Sequence, residues 1–224
     1  MDSRDPDIDK LRVALVRATQ TSDVSERALE IVATVEAVAA PFGIHPVVVG
    51  GMAVYVWTER DEFTTHDIDV VMEVPDALAN RLAELGFTRA VNGRHWTLQG
   101  TDILLEAPSS RLDPDVKVSE IPLRSGRTAK VLSRVDILMD RLDEFQATGH
   151  ETPAQQALAL LADLSDKEIA DLDRRSVGRD VTNILKAVRQ VAADIAAGNT
   201  APDSGELHEI ARAVMQGHYH STDT

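Results

Sequence analysis

A glycine pair and an Asp-Ile-Asp motif, each next to an apolar run, constrain this chain more than any other feature. The pair at residues 50–51 ends the β-branched run 47–49, and the motif at residues 67–69 opens a second apolar run after fifteen intervening residues. A short β-branched run that ends in glycines is typical of a buried strand entering a turn. Residues 52–60 then predict a short helix that begins at the turn, so the order is strand, glycine turn, helix and second strand.

Asp67 and Asp69 are two residues apart on the second predicted strand. Alternate residues of a strand share a face, so both carboxylates leave one side while Ile68 points into the core. Two like charges this close destabilise each other, and a divalent cation or a shared proton relieves the repulsion. Alone, the motif is more typical of an exposed strand face or a turn than of catalysis.

Gly50 and Gly51 add a second, independent indication. Glycines between a strand and a helix allow a phosphate to approach the backbone, and the free amides at the helix start donate to it. A glycine pair alone is usually just a turn. The combination with the carboxylate pair is more specific, because it predicts an anion-binding turn and a metal-binding pair on neighbouring strands.

A two-metal site needs a further hard ligand, and the segment 102–107, DILLEA, offers two candidates. Asp102 and Glu106 share one face by strand parity. Asp102 adjoins a predicted turn at Gln99-Gly100, where a solvated carboxylate is the ordinary interpretation. Glu106, at the end of an apolar strand, is the preferred candidate, and Asp102 stays the alternative.

These residues resemble the signature of the nucleotidyltransferase superfamily, namely a glycine pair, a gap of about ten to fifteen residues, Asp-hydrophobic-Asp on a strand and a later acid. The segments GGMAVYVW, TTHDIDVV, LGFTRAVNGRHW, LLEAPSSRL and DILMDRLDEFQATGHETPAQQALALL also resemble small bacterial nucleotidyltransferases related to AbiEii-type toxins. The resemblance spans about residues 45–165. It implies an α/β (α+β) fold, with a nucleotidyltransferase-like mixed β-sheet core flanked by helices and a helical C-terminal region.

The resemblance implies a role for each matching residue. The catalytic and metal-binding set is Asp67, Asp69 and Glu106, and the Glu-Ala-Pro context favours Glu106 over Asp102. The nucleotide-binding set is Gly50, Gly51, Thr65, Arg94, Asp140 and Arg141. The implied cofactor is Mg²⁺ in a two-metal site.

Two positions depart from the pattern. Met52, after the second glycine, offers no hydroxyl to the phosphates, and Met139 stands where many relatives carry a lysine before the Asp-Arg pair. Both departures put full catalytic activity in question.

Composition limits the class of protein. The 224 residues contain no cysteine, which excludes disulfides and thiolate ligands, so a bound metal requires carboxylate, imidazole or backbone ligands. No run of eighteen apolar residues and no signal peptide is present, so we expect a cytoplasmic protein without a membrane partner.

Charge is unevenly distributed along the chain. The net charge of −14 opposes general adhesion to nucleic acid. The densest positive stretch is an exception, and it is either a solvated surface or one side of an RNA-binding cleft. Its members are Arg111, Lys117, Arg124, Arg127, Lys130 and Arg134.

The periodicity predicts two domains. Residues 1–132 include two N-terminal helices, and Ser22 and Asp23 are the capping candidates for the second; the resemblance implies that this part is a nucleotidyltransferase-like catalytic domain. Residues 133–224 form a helical C-terminal domain, which is also a candidate dimerisation element.

The function predicted from the resemblance is a magnesium-dependent nucleotidyltransferase that transfers NMP from a nucleoside triphosphate to an RNA or protein acceptor, with tRNA as one candidate. It would be the toxin-like member of a bacterial toxin–antitoxin or phage-defence pair, with a cognate antitoxin as partner. The alternative is a catalytically weak, nucleotidyltransferase-like binding protein or antitoxin.

Overall fold

The structure, a computed structural model, describes residues 6–91 and 93–217. The chain divides between Ser133 and Arg134 into two compact units, a sheet unit before this point and a helical unit after it. No helix in the described ranges combines the length and the apolar composition that a bilayer span requires.

The helices of the sheet unit begin and end close to where periodicity predicts them. They are α1 (Ile8–Thr19), α2 (Val24–Ala39), α3 (Gly50–Thr58) and α4 (Asp76–Leu85). Of the two capping candidates for α2, Asp23 is the N-cap, and its carboxylate accepts a hydrogen bond from the Glu26 amide at 2.9 Å. Pro75 is the N-cap of α4 and lies just outside its first turn.

Seven strands of the described residues form one mixed sheet, in the order β3-β4-β5-β2-β1-β7-β6. They are β1 (Val47–Val48), β2 (Asp67–Val71), β3 (Phe87–Arg89), β4 (His95–Leu98), β5 (Leu104–Ser109), β6 (Val118–Pro122) and β7 (Thr128–Leu132). Strands β1, β2 and β5 correspond to predicted strands. The runs 94–98 and 102–107 on either side of the turn at Gln99-Gly100 also predict a hairpin, and the antiparallel pair of β4 and β5 confirms it. Strands β3, β6 and β7 were not predicted, because each is short or interrupted by polar residues. The predicted mixed α/β class is confirmed.

The register of the central strands decides which side chains meet. Strand β2 pairs with β1 in antiparallel and with β5 in parallel orientation, with Asp69 beside Glu106. On the other face, Ile68 lies beside Leu105, and both are buried. Ile68 and Leu105 therefore belong to the core, and Asp69 and Glu106 share the opposite face of the sheet.

The helical unit contains α5 (Arg134–Thr148), α6 (Glu151–Ala162), α7 (Asp166–Ser176), α8 (Thr182–Ala196) and α9 (Ser204–Met215), as predicted. Its buried charge is Asp136, which is 1% exposed and bound by the Arg175 guanidinium with Nη1–Oδ2 at 3.0 Å. The hydrogen bond from Arg175 to Asp136 raises the pKa of Arg175. Because the carboxylate is paired, its burial is tolerated.

The positive stretch of residues 111–134 is largely paired with glutamates in the sheet unit. Arg124 Nε lies 3.1 Å from Glu26, and Lys130 Nζ lies 3.5 Å from Glu36. Both glutamates belong to α2, so these cations attach the β6–β7 hairpin to that helix.

Arg127 makes the most buried of these pairs. Its guanidinium donates to Glu30 Oε2 at 2.9 Å and to Thr34 Oγ1 at 2.8 Å, and the Ser125 amide donates to the other Glu30 oxygen. Glu30 and Thr34 are 7% and 0% exposed. Every charge in this cluster is hydrogen-bonded, which makes it a structural contact between α2 and the hairpin.

We predict that Arg127→Ala lowers the free energy of unfolding by about 3 kcal/mol, because it leaves the buried Glu30 carboxylate without its partner. The matched control is Arg124→Ala, in the same hairpin and paired with the same helix, but with an 86% exposed side chain. The control should change stability by less than about 0.5 kcal/mol. Urea unfolding monitored by circular dichroism measures both, and equal losses would contradict the prediction.

Candidate active site

Helix α3 begins at the glycine pair and starts next to β2. Val49 is its N-cap, and the Val49 amide donates to the Asp69 carbonyl at 2.9 Å. The first intrahelical bond runs from the Ala53 amide to Val49, so the amides of residues 50–52 precede it. No side chain of the described residues caps this end of α3. Three amides and the positive end of the helix dipole are therefore placed beside β2.

Gly50 is required by its conformation and by its neighbour. Its φ of 59° is in the left-handed region, which glycine adopts without strain. A Cβ at this position would lie 3.0 Å from Asp69 Cγ and closer still to Asp69 Oδ2. The Asp69 carboxylate thus occupies the space that a side chain at position 50 would fill. The sequence predicts a glycine here to admit a phosphate, and the structure adds that it makes room for an acid.

Gly51 is less constrained. A Cβ there would meet Thr65 Cγ2 at 3.7 Å, an ordinary van der Waals contact. Thr65 itself precedes β2, and its hydroxyl accepts a hydrogen bond from the Asp67 amide at 3.1 Å. This contact fixes the backbone at Asp67, and the predicted contact of Thr65 with the nucleotide stays a prediction.

The three predicted acids lie on one face of neighbouring strands. Asp67 is exposed at the start of β2, Asp69 is half-buried, and Glu106 on β5 lies directly beside Asp69. Asp102 precedes β5, and its side chain is 78% exposed and 3.9 Å from His66 Nδ1. The sheet register therefore brings Glu106, and not Asp102, next to Asp69.

His95 is a site residue that the sequence did not single out. It lies opposite Glu106 on the adjacent strand β4, with Nε2 3.0 Å from Glu106 Oε2. At residues 95–96 the sequence leaves two interpretations open, a packed aromatic with a hydrogen-bonded histidine or a pair that stacks on a base, and the structure has the first arrangement. Trp96 is 1% exposed, with the Arg89 guanidinium 5.3 Å from its ring centroid. The signal that could have identified His95 is its parity, opposite to that of the buried Trp96.

Arg94 immediately precedes β4, and its carbonyl accepts a hydrogen bond from the Ala107 amide at 2.9 Å. By strand alternation it belongs to the face of Trp96, opposite to His95 and Glu106. Its side chain is exposed. The predicted contact of Arg94 with a triphosphate stays a prediction.

The remaining predicted positions lie in the helical unit. Asp140 and Arg141 are on α5, where Arg141 is paired with Asp140 and with Glu144 at 2.7 Å. Met139, which precedes this pair, is fully buried. Met52 of the sheet unit is also buried, at 1% exposure, so it faces the core and not the phosphate side.

The carboxylate donors of this face fit a divalent cation in their chemistry, and the strand register places them on neighbouring strands. Asp67, Asp69 and Glu106 offer carboxylate oxygens, which Mg²⁺ prefers, and Gly50 leaves space for the Asp69 carboxylate against the helix start. As their side chains stand, no three carboxylate or imidazole groups of the described residues converge on one point. The match of these residues to a divalent cation therefore rests on the strand register and on the type of donor atom.

No protein-family model matches the chain, and no curated protein matches it. Two solved structures are similar to it. One is the antibiotic-resistance factor ANT(2'')-Ia in solution, with 16% identity over 81% of this chain and 98% of that chain, and a TM-score of 0.45. The other is an antigenic nucleotidyltransferase-like protein from Paracoccidioides brasiliensis, with 17% identity over 80% and 93% of the two chains, and a TM-score of 0.45. At this level of similarity, the function of this chain has to be argued from its own residues.

We predict that Gly50→Ala lowers the free energy of unfolding by about 1–3 kcal/mol, because alanine is strained at this φ and displaces the Asp69 carboxylate. Gly51→Ala is the matched control, since it is the next residue of α3 and has room for a methyl group. It should leave stability unchanged or raise it by up to about 1 kcal/mol. Thermal and urea unfolding compare the two, and equal effects would refute the role given to Gly50.

Proposed function

We propose that the chain is a magnesium-dependent nucleotidyltransferase. One observation carries the proposal, which is that Asp69 lies against the first residue of α3 and beside Glu106. An anion-binding helix start and two neighbouring carboxylates thereby share one place in the sheet unit. The sequence resemblance to nucleotidyltransferases indicates a reaction that needs both the helix start and the carboxylates, namely nucleotidyl transfer.

The reaction proposed is in-line attack by an acceptor hydroxyl on the α-phosphorus of a nucleoside triphosphate. The bond from the acceptor oxygen to the α-phosphorus forms, the bond from that phosphorus to the oxygen bridging to the β-phosphate breaks, pyrophosphate leaves and the hydroxyl proton passes to water. The amides of residues 50–52 would donate to the phosphate oxygens, assisted by the positive end of α3. Most of the rate enhancement would come from positioning and electrostatics.

Asp67 and Asp69 would hold a divalent cation, and Glu106 would complete a second position. Bound Mg²⁺ supplies charge neutralisation on the phosphates and lowers the pKa of the acceptor hydroxyl. Thr65 would keep Asp67 in place through the hydrogen bond to its amide. Arg94, Asp140 and Arg141 remain proposed nucleotide contacts by resemblance.

The acceptor is proposed to be RNA, including tRNA, or a protein, and the physiological role that of the toxin-like member of a toxin–antitoxin or phage-defence pair. This part rests on the resemblance alone. The pairing of Arg127 and Lys130 with α2 commits two cations of the stretch proposed to bind RNA to contacts within the fold, whereas Arg124 stays 86% exposed. Among the proposed acceptors, that pairing favours a protein.

The second candidate is a catalytically weak relative that binds nucleotide or a partner protein, as an antitoxin would. Met139 is the observation that favours it, because a fully buried thioether replaces a cationic side chain. The two candidates differ in one measurable property, the covalent transfer of a nucleotide.

We predict that Asp69→Asn lowers nucleotide transfer at least about 100-fold, because it replaces a metal-binding charge with a neutral side chain of the same shape. Transfer is measured with each labelled nucleoside triphosphate, Mg²⁺, and total RNA or cell lysate. The matched control is Asp102→Asn, which removes a nearby exposed carboxylate and should keep the wild-type rate.

Circular dichroism should show that both variants remain folded. Transfer that survives Asp69→Asn would reject the proposed mechanism. Tight binding of nucleotide by the wild type without any transfer would support the binding protein instead.

A further inference from the structure

The third acid of the site is held from the side opposite Asp69. Glu106 lies between Asp69 on β2 and His95 on β4, and all three share one face of the sheet. Its carboxylate is 3.0 Å from His95 Nε2. The chain therefore places an imidazole next to the carboxylate proposed to complete the metal site.

The backbone pairing brings these two side chains close together. The Ala107 amide donates to the Arg94 carbonyl, so Arg94 and Ala107 form a hydrogen-bonded pair. Such pairs alternate along an antiparallel ladder, which makes His95 and Glu106 a non-hydrogen-bonded pair, with Cα atoms about 4.5 Å apart. In this pair type the side chains are nearest to each other.

Strand β4 holds the backbone of His95 in a fixed position. It lies inside the sheet between β3 and β5, and the next residue, Trp96, is buried in the core. His95 itself is about one-third exposed, at 33% of its side chain. Its backbone is thus fixed by Trp96 while its ring stays on the face of the acids.

Glu106 needs such support more than Asp69 does. The Asp69 carboxylate is short and packs against Gly50, whereas Glu106 has one more rotatable bond and is 25% exposed. A long carboxylate that moves among rotamers loses conformational entropy when it binds a ligand. A hydrogen bond from a neighbouring imidazole selects one orientation in advance, as partners of metal-ligating carboxylates commonly do.

We propose that His95 is a positioning residue that donates through Nε2 to Glu106 and sets this carboxylate beside Asp69 for a divalent cation. The inference rests on the proposed function, because it concerns the third acid of the same site. His95 acts through Glu106 and needs no contact with the nucleotide or the acceptor.

The test measures Mn²⁺ affinity of the full chain from the free-Mn²⁺ signal in electron paramagnetic resonance. We expect His95→Ala to weaken binding by about tenfold or more, in the range found for such supporting partners. His95→Gln places an amide donor near the position of Nε2 and should recover most of the affinity. Thr97→Ala is the matched control, since Thr97 lies on the same strand and face but opposite Leu104, and it should bind like the wild type.

A second readout needs no metal. The Nε2 resonance of His95, observed in a long-range ¹H–¹⁵N spectrum of the metal-free protein, should shift in Glu106→Gln and stay unchanged in Asp102→Asn. An unshifted resonance in Glu106→Gln would overturn the contact.

The outcomes separate this inference from the proposed function. Unchanged Mn²⁺ affinity in His95→Ala, or equal losses in His95→Ala and His95→Gln, overturns the positioning role even where Glu106→Gln abolishes binding. Absence of Mn²⁺ uptake by the wild type overturns it together with the metal site. Weakened uptake in His95→Ala with rescue by glutamine, in a protein that transfers no nucleotide, supports the positioning role and rejects the transferase.

Discussion

The proposed site depends on the close approach of the Asp69 carboxylate to the backbone of Gly50. Because residue 50 lacks a Cβ and adopts a positive φ, α3 can begin directly beside β2. The hydrogen bond from the Val49 amide to the Asp69 carbonyl closes the same junction. The positive end of α3 stabilises the carboxylate, but it would attract a phosphate equally. In the proposed reaction, a triphosphate brought to these amides would meet the charge of Asp69, and a divalent cation between the two would allow both to occupy the junction.

The pairing of β2 with β5 then determines which acid is the third member of the site. Ile68 and Leu105 are neighbours on the core face, and both are buried. A slip of one residue would turn Glu106 into the core and put Leu105 beside Asp69. The burial of the two aliphatic residues therefore fixes the register, and the register puts Glu106 beside Asp69. Asp102 precedes β5, so the same register does not bring it beside Asp69.

Local patterns were enough to predict the helices, because apolar periodicity and capping residues such as Asp23 act within one element. They also predicted the strands that carry the acids, since β2 and β5 contain continuous apolar runs. Strand β6 was missed because none of its residues is buried and it ends in proline. The contact of Gly50 with Asp69 joins two separate segments of the chain, and spacing along the sequence does not encode it. The contact of His95 with Glu106 depends on the exact register of the β4–β5 hairpin, which a predicted turn alone leaves open.

The charge that the positive stretch presents to other molecules depends on which of its cations are paired with glutamates, more than on how many cations it contains. Three cations of the stretch 111–134 neutralise glutamates of α2 and hold the β6–β7 hairpin against that helix. A phosphate contact made by Arg127 would have to break its hydrogen bonds to Glu30 and Thr34, which are both buried. With a net charge of −14, the chain repels a polyanion, and each phosphate bound needs a local cation to offset that repulsion. A polyanion bound at this stretch would therefore compete with the ion pairs that hold the β6–β7 hairpin on α2.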